Sequence, residues 1–168
     1  QLNHGDDMAS FKQAKHDLNV RLSALREQLN LRLHSATSNE PFDKWLTSHQ
    51  PFHWLAEYYG IIQGNGGFDV IIGNPPYVVY SNNKFDYQIR NYLTIKARNL
   101  YAFCIERALR LVNKDSYLSL IVPISLSNGS NYFTVRQLLA NRGTVIYSHY
   151  AGDSHPSCLF NGVQQNLT

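Results

Sequence analysis

Phe68 to Tyr80 reads FDVIIGNPPYVVY. An apolar run with β-branched Val70, Ile71 and Ile72 stops at Asn74-Pro75-Pro76-Tyr77 and then resumes. Consecutive prolines fix φ and carry no backbone N–H, so neither a helix nor a central strand continues through them. Phe68 to Gly73 is therefore expected to be a strand buried on both faces, ending in an enforced turn.

Downstream, Leu100 to Val112 (LYAFCIERALRLV) has helical spacing with a broad apolar face. Tyr117 to Val122 is expected to form a second buried strand that stops at Pro123. Tyr132 to Asn141 is expected to be helical, and Gly143 opens another β-rich run, TVIYSHY. Gly64-Asn65-Gly66-Gly67 marks a turn before the first strand, and the polar residues from Ser81 to Asp86 mark a loop after the prolines. Alternation of strand and helix from Phe68 onward predicts an α/β fold with a mainly parallel sheet.

The upstream part differs. Leu18, Leu22, Leu25, Leu29 and Leu33 recur every three or four residues within Phe11–His34, an amphipathic helix expected to pack on its own domain. Ser35 to Pro41 reads as a loop with Ser38 or Asn39 as cap and Pro41 in the first turn of a short helix running to about Ser48. The segment QPFHWLAEYYG carries Phe52, Trp54, Tyr58 and Tyr59. Core packing is the expected role of these rings, ahead of a base-stacking platform. The expected division is a helical segment over 1–60 and an α/β part over 61–168.

With 168 residues, 43% hydrophobic and 16% charged, the chain can build one compact core and does not have the composition of a disordered segment. Only Cys104 and Cys158 are present, and Cys104 sits in a helical pattern, which suits a reducing compartment. No apolar stretch approaches the ~20 residues of a membrane span, so no membrane partner and a cytoplasmic location are expected. An opening on Gln1 and a close on QQNLT after a strand-like run suggest a piece of a longer chain.

The net charge of +3 is uneven: residues 77–142 hold nine basic and three acidic side chains, +6, against −3 for the rest. A basic half beginning at the proline motif suits a polyanion, although solvated helix faces give the same count.

In an open parallel sheet, ligands bind beyond the carboxyl ends of the strands, which is where Gly73-Asn74-Pro75-Pro76-Tyr77 falls. Gly73 permits close backbone approach. The Asn74 side-chain oxygen and the Pro75 carbonyl are two acceptors whose direction the prolines restrict, a pair suited to a planar amino group with two hydrogens. The exocyclic nitrogen of adenine is a poor nucleophile because its lone pair is delocalised into the ring. Acceptors off the ring plane favour the pyramidal nitrogen that forms during attack, so they stabilise the transition state more than the ground state. Tyr77 adds a flat face for a base, and such stacking contributes ~1–3 kcal/mol in nucleic-acid sites.

These residues carry a resemblance. FDVIIGNPPYV resembles motif IV of amino-group DNA methyltransferases, and its flanks look like the bifunctional type IIG restriction–modification branch, in which PFHW-like segments precede GGFDVIIGNPPY. NLYAFCIERALRLV and SLIVPISL resemble motifs V and VI, and SHPSCLFNGV resembles motif VIII. The resemblance covers roughly Gln50 to Thr168. It implies a Rossmann-like fold, S-adenosylmethionine as methyl donor, double-stranded DNA as partner, and a flipped adenine methylated at N6.

Transferred to this chain, the resemblance makes Asn74 and Pro75 the amino-group acceptors, Pro76 the residue that fixes the turn, and Tyr77 the stacking ring. Leu100 and Tyr101 would line the adenine side of the cofactor, Pro123 and Ile124 would flank the target pocket, and Phe160 would be a second aromatic contact to the base. The family's glycine-rich cofactor motif has no counterpart here, since Gly64, Gly66 and Gly67 precede a strand instead of following one. The ribose-binding carboxylate is likewise unplaced. The resemblance thus implies a partial methyltransferase fold spanning motifs IV to VIII, with the cofactor half upstream and a target-recognition domain downstream. Methyltransferases acting on RNA or on protein glutamine share Asn-Pro-Pro-Tyr, and a non-catalytic DNA-binding scaffold could keep the fold.

Other candidates carry less. His49 and His53 are four apart, but Pro51 lies between them and no cysteine or carboxylate completes a zinc set. Ser125 to Ser130 reads as a surface loop without a nucleophile elbow. Asp69, at the start of the strand, is expected to pair with a neighbouring amide or charge. No nuclease-like carboxylate–lysine cluster is visible.

Overall fold

A computed structural model describes residues 4–81, 85, 87–152, 159–160 and 166–168. The chain divides into two compact units, Gln1–Gly64 and Asn65–Thr168.

The first unit contains α1 (His4–Thr37), α2 (Phe42–His49), α3 (Trp54–Glu57) and α4 (Tyr59–Gly64). Helix α1 starts earlier than its leucine period suggests. Its contacts with α2 and α3 run along Arg26, Asn30 and His34, spaced one turn apart. Arg26 donates to both carboxylate oxygens of Glu57 at 2.6 and 3.1 Å, and the Asn30 side-chain oxygen lies 2.7 Å from His53 Nε2. The His34 ring packs against Phe42 and the buried Trp45 at 5.4 and 5.3 Å. Of the leucine stripe, Leu22, Leu25 and Leu29 are half-buried while Leu18 and Leu33 are exposed.

Two expectations about this unit are corrected. Phe52, Trp54, Tyr58 and Tyr59 are exposed rather than core residues, with Trp54 packed against Phe52 and Tyr58 at 5.0 and 5.7 Å. A unit this small encloses little volume, and Trp45 occupies it. The cap of α2 is Pro41 itself, and the Ser38 hydroxyl accepts from Glu40 N instead.

The second unit runs β1 (Phe68–Gly73), a 3-10 turn (Leu93–Ala97), α5 (Leu100–Leu111), β2 (Val112–Leu120), α6 (Ser125–Asn128), a second 3-10 turn (Ser130–Tyr132) and α7 (Phe133–Arg142). Strands β1 and β2 are parallel, joined through α5 as parallel pairing requires. Residues pair in register from Val70↔Tyr117 to Gly73↔Leu120, with an irregularity between Phe68 and Val70.

That irregularity has a side-chain cause. Asn113 Nδ2 donates to Asp69 at 2.6 Å, Asn113 Oδ1 accepts from Asp115 N, and Arg142 donates to the carbonyls of Val112 and Asn113. The polar Asn113–Ser116 segment is thereby folded into β2, which starts five residues before the expected Tyr117. Asp69 pairs with an amide, as its position suggested.

The core comprises Ala97, Tyr101, Ala102, Ile105, Val122, Leu126 and Val135, with Tyr77, Leu120, Tyr132 and Leu139 packed against it. It lies on one face of the sheet. On the other, Val70, Ile72 and Tyr117 are 55%, 75% and 77% exposed, which corrects the expectation of a strand buried on both faces. Burial of a parallel strand on two sides needs a layer on each, and among the described residues only one is present. The expected strand over TVIYSHY is corrected too: among the described residues Thr144–His149 join no ladder, and Tyr150 forms an isolated bridge with Leu167. β-Branched residues form a strand only where a partner edge is available, and Ile146 is 85% exposed. Ser125–Ser130 is not a plain surface loop, for it contains α6 and the buried Leu126.

Gly67 is required at the entry to β1. Its φ is +136°, and a Cβ there would lie 2.4 Å from Leu111 O and 2.8 Å from Asn113 N, both backbone atoms at the α5–β2 junction. Gly67→Ala is expected to destabilise the unit by about 2 kcal/mol, read as a lowered urea midpoint at unchanged slope. Among the described residues no helix is long and apolar enough to cross a membrane.

Candidate active site

Parallel register brings the carboxyl ends of β1 and β2 side by side, and Ile121 N donates to Gly73 O at 3.0 Å. Asn74–Tyr77 therefore leaves the sheet next to Ile121–Ile124. Asn74 and Pro76 are exposed, whereas Pro75 and Tyr77 are half-buried. The segment after the prolines pairs antiparallel with the approach to α5, through Leu100 N to Val78 O and Tyr80 N to Arg98 O, both 2.9 Å. Asn99 then caps α5, its side-chain oxygen accepting from Tyr101 N at 3.4 Å. This places Leu100 and Tyr101 next to the motif.

Tyr77 is tied down at both ends. Its hydroxyl oxygen lies 2.5 Å from Asn74 Oδ1 and 2.8 Å from the Ile121 carbonyl oxygen, sharing one hydrogen between them, while its ring meets Tyr101 edge-on at 6.3 Å and 88°. Tyr101 has no accessible surface; its hydroxyl lies 3.0 Å from Ser125 Oγ and its ring stacks on Tyr132 at 5.2 Å. Burial raises the pKa of both Tyr77 and Tyr101, so both phenols stay protonated across the working pH range.

A second polar cluster supports the start of α5. The buried Glu106 carboxylate accepts from Leu93 N at 3.1 Å, Thr94 N at 2.9 Å and Thr94 Oγ1 at 2.8 Å, and it pairs with Arg110. The 3-10 turn over Leu93–Ala97 is thereby held against α5. Burial works to raise the Glu106 pKa, but the hydrogen bonds from Thr94 and Leu93 and the charge of Arg110 outweigh it and hold the carboxyl below its ordinary value.

Of the other site residues expected from the sequence, Pro123 is buried and Ile124 half-buried, both beside the incoming Asn166–Thr168 segment. Phe160 is 43% exposed, and among the described residues no contact links it to Asn74 or Tyr77. Most of SHPSCLFNGV, with Cys158, lies outside the described residues. Ser125 and the Ile121 carbonyl went unrecognised in the sequence: the first looked like loop serine, and a backbone carbonyl leaves no residue-type signal.

The basic half looks different in three dimensions. Arg136 donates to the carbonyls of Leu126 and Gly129, Arg142 to those of Val112 and Asn113, Arg110 pairs with Glu106, and Arg107 and Arg110 lie over the Tyr92 ring. Much of that charge is therefore structural. Lys96, Arg98 and Lys114 are exposed and have no side-chain partner among the described residues. No cluster of metal-ligating side chains occurs among the described residues, where His49 and His53 have separate partners, Trp45 O and Asn30.

Comparison with known proteins points the same way as the motif. The family described as Eco57I restriction-modification methylase matches residues 8–155. A Methanocaldococcus jannaschii protein named as a type II restriction enzyme and methyltransferase is 31% identical over 103 residues, 60% of this chain and 8% of that relative. The modification methylase CviBIII of Paramecium bursaria Chlorella virus NC1A is 33% identical over 94 residues, 55% of this chain and 24% of the relative. The chain thus matches less than a quarter of either relative's length. No solved structure matches it.

Proposed function

Since the chain belongs to the Eco57I restriction-modification methylase family, we propose that it carries the amino-group acceptor end of a site-specific DNA adenine-N6 methyltransferase. The observation that carries this reading is the exposed Asn74 at the carboxyl edge of a parallel sheet, its side chain held by Tyr77. Asn74 Oδ1 and the Pro75 carbonyl accept from the two amino hydrogens of a flipped adenine, and Pro76 restricts the backbone that carries them. As the nitrogen attacks, its lone pair leaves the ring and the two acceptors favour the pyramidal geometry. The proton released afterward passes to solvent. Tyr77 offers the accessible part of its ring to the base, with Pro123, Ile124 and Phe160 assigned around the target.

S-adenosylmethionine supplies the methyl group, and the residues in hand fit it only in part. Leu100 keeps accessible surface at the start of α5, whereas Tyr101 has none and contributes by backing Tyr77. No contact to the methionine or ribose portions is assigned to this chain. Those contacts, and sequence-specific reading of duplex DNA, fall to further parts of the same enzyme, in keeping with the greater length of the relatives.

The test is product identity. Plasmid DNA from a host without adenine methylation, incubated with the intact protein and S-adenosylmethionine and digested to nucleosides, is expected to contain N6-methyladenine. Exclusive N4-methylcytosine would overturn the adenine assignment, and methylation of RNA or protein with none of DNA would overturn the substrate class.

A further inference from the structure

We infer that the Tyr77 hydroxyl, anchored on the Ile121 carbonyl, is a positioning group that aims the Asn74 carboxamide oxygen at the substrate amino group. The inference rests on the reading of Asn74 as amino-group acceptor and adds a task to Tyr77 separate from stacking.

The premise is a count of hydrogens. A phenol has one to donate and two lone pairs with which to accept. The Tyr77 oxygen has two close neighbours, both acceptors: Asn74 Oδ1 at 2.5 Å and the Ile121 carbonyl oxygen at 2.8 Å. One hydrogen cannot serve two acceptors at full strength. Both Oδ1 and the Ile121 carbonyl can only accept, so once the hydrogen goes to Ile121 the carboxamide bonds Tyr77 by turning over and donating through Nδ2, with the contact lengthened to the roughly 2.7–3.2 Å of an N–H···O bond. Oxygen and nitrogen of a side-chain amide occupy nearly the same envelope, and the hydrogen-bond network decides between them. The arrangement that satisfies every group turns Oδ1 away from Tyr77, on the exposed side of the segment. With Oδ1 toward Tyr77, one of the two lone pairs of the acceptor meant for the amino group would already be taken.

The anchor is rigid for a structural reason. Ile121 follows β2 directly, and its N–H is bonded to Gly73, the residue before Asn74. The carbonyl that fixes Tyr77 and the backbone that carries Asn74 therefore belong to one hydrogen-bonded strand pair. The Tyr77 ring is kept from swinging by Tyr101, itself held by Ser125 and Tyr132. A preorganised acceptor is worth more than a mobile one because no reorganisation is needed as the transition state forms.

The experiment is steady-state methyl transfer by the intact protein on unmethylated plasmid DNA, comparing wild type with Tyr77→Phe. The ring and its packing survive this change, so KM for DNA and for S-adenosylmethionine should stay within about twofold while kcat falls roughly ten- to a hundredfold. An unchanged kcat, or a loss confined to KM, would overturn the positioning role. A fluorinated tyrosine at position 77, which ionises at lower pH, serves should Tyr77→Phe fail to fold. Its phenolate has no hydrogen for Ile121, so the alkaline limb of kcat should move to lower pH, and an unmoved limb would also overturn the role. Wild-type turnover by Asn74→Ala would instead remove the acceptor reading, whichever way the Tyr77 variants behave.

Discussion

Asn74→Ala in the intact protein is expected to lower methyl transfer at least about 10³-fold, roughly 4 kcal/mol of transition-state stabilisation, with duplex affinity within about threefold of wild type. The size follows from when the interaction forms. In the ground state the amino group is planar, conjugated with the ring, and adequately solvated by water. In the transition state its hydrogens bend out of the plane toward acceptors already in place, so losing one removes stabilisation from kcat and little from KM. Duplex binding survives because it depends on phosphate contacts, to which an exposed carboxamide at a sheet edge adds little. Single-turnover transfer of labelled methyl together with a filter-binding isotherm separates the two quantities. Turnover within tenfold of wild type would mean that Pro75 and the backbone suffice and that Asn74 only ends the strand.

Glu106→Ala is expected to be the most disruptive change away from that edge, costing about 3–4 kcal/mol of stability. It leaves two backbone N–H groups without an acceptor, and the Thr94 hydroxyl with only the Ala102 carbonyl at 3.5 Å, where Glu106 is 2% and Thr94 1% exposed. Arg110, 44% exposed, can turn to water, so its loss adds less. The 3-10 turn should detach from α5, seen as faster amide exchange over Leu93–Ala97. Acid offers a second check. Because the folded-state pKa of Glu106 lies below its ordinary value of 4.5, its contribution is fully present above that value. It is lost as pH falls through the lower folded-state pKa. Glu106→Ala should therefore flatten the dependence of the unfolding midpoint on pH below about 4.5, and an equally steep dependence in the variant would assign acid sensitivity to other carboxylates.

The reach of the sequence can be judged from particular elements. The β1 strand, its stop at Gly73 and helix α5 were legible because apolar period and proline chemistry are local properties. The start of β2 was not: Asn113–Ser116 has loop composition and joins the strand through bonds to Asp69, 44 residues earlier, and to Arg142, 29 later. TVIYSHY misled in the opposite direction, since its strand propensity finds no partner edge among the described residues. The aromatic residues of QPFHWLAEYYG misled because composition reports that a ring is apolar, whereas burial depends on the volume left after Trp45 is placed. In the site, Asn74 and Tyr77 stood out from their motif, but the Glu106–Thr94 cluster gave no signal, as one acid in an apolar helix looks like a surface residue.

By itself, the sequence determined that the strand stops at Gly73, with two acceptors and an aromatic ring in the next four residues, because proline restricts φ whatever surrounds it. The expected turn is not formed, and Asn74–Val78 leaves the strand without a turn or bend. Only the tertiary structure decided what holds those acceptors. The parallel pairing of Gly73 with Leu120 brings the Ile121 carbonyl, 44 residues from Tyr77, within 2.8 Å of its hydroxyl. A hydrogen bond is directional and acts only at contact, so its partner follows from strand register and cannot be read from residue type.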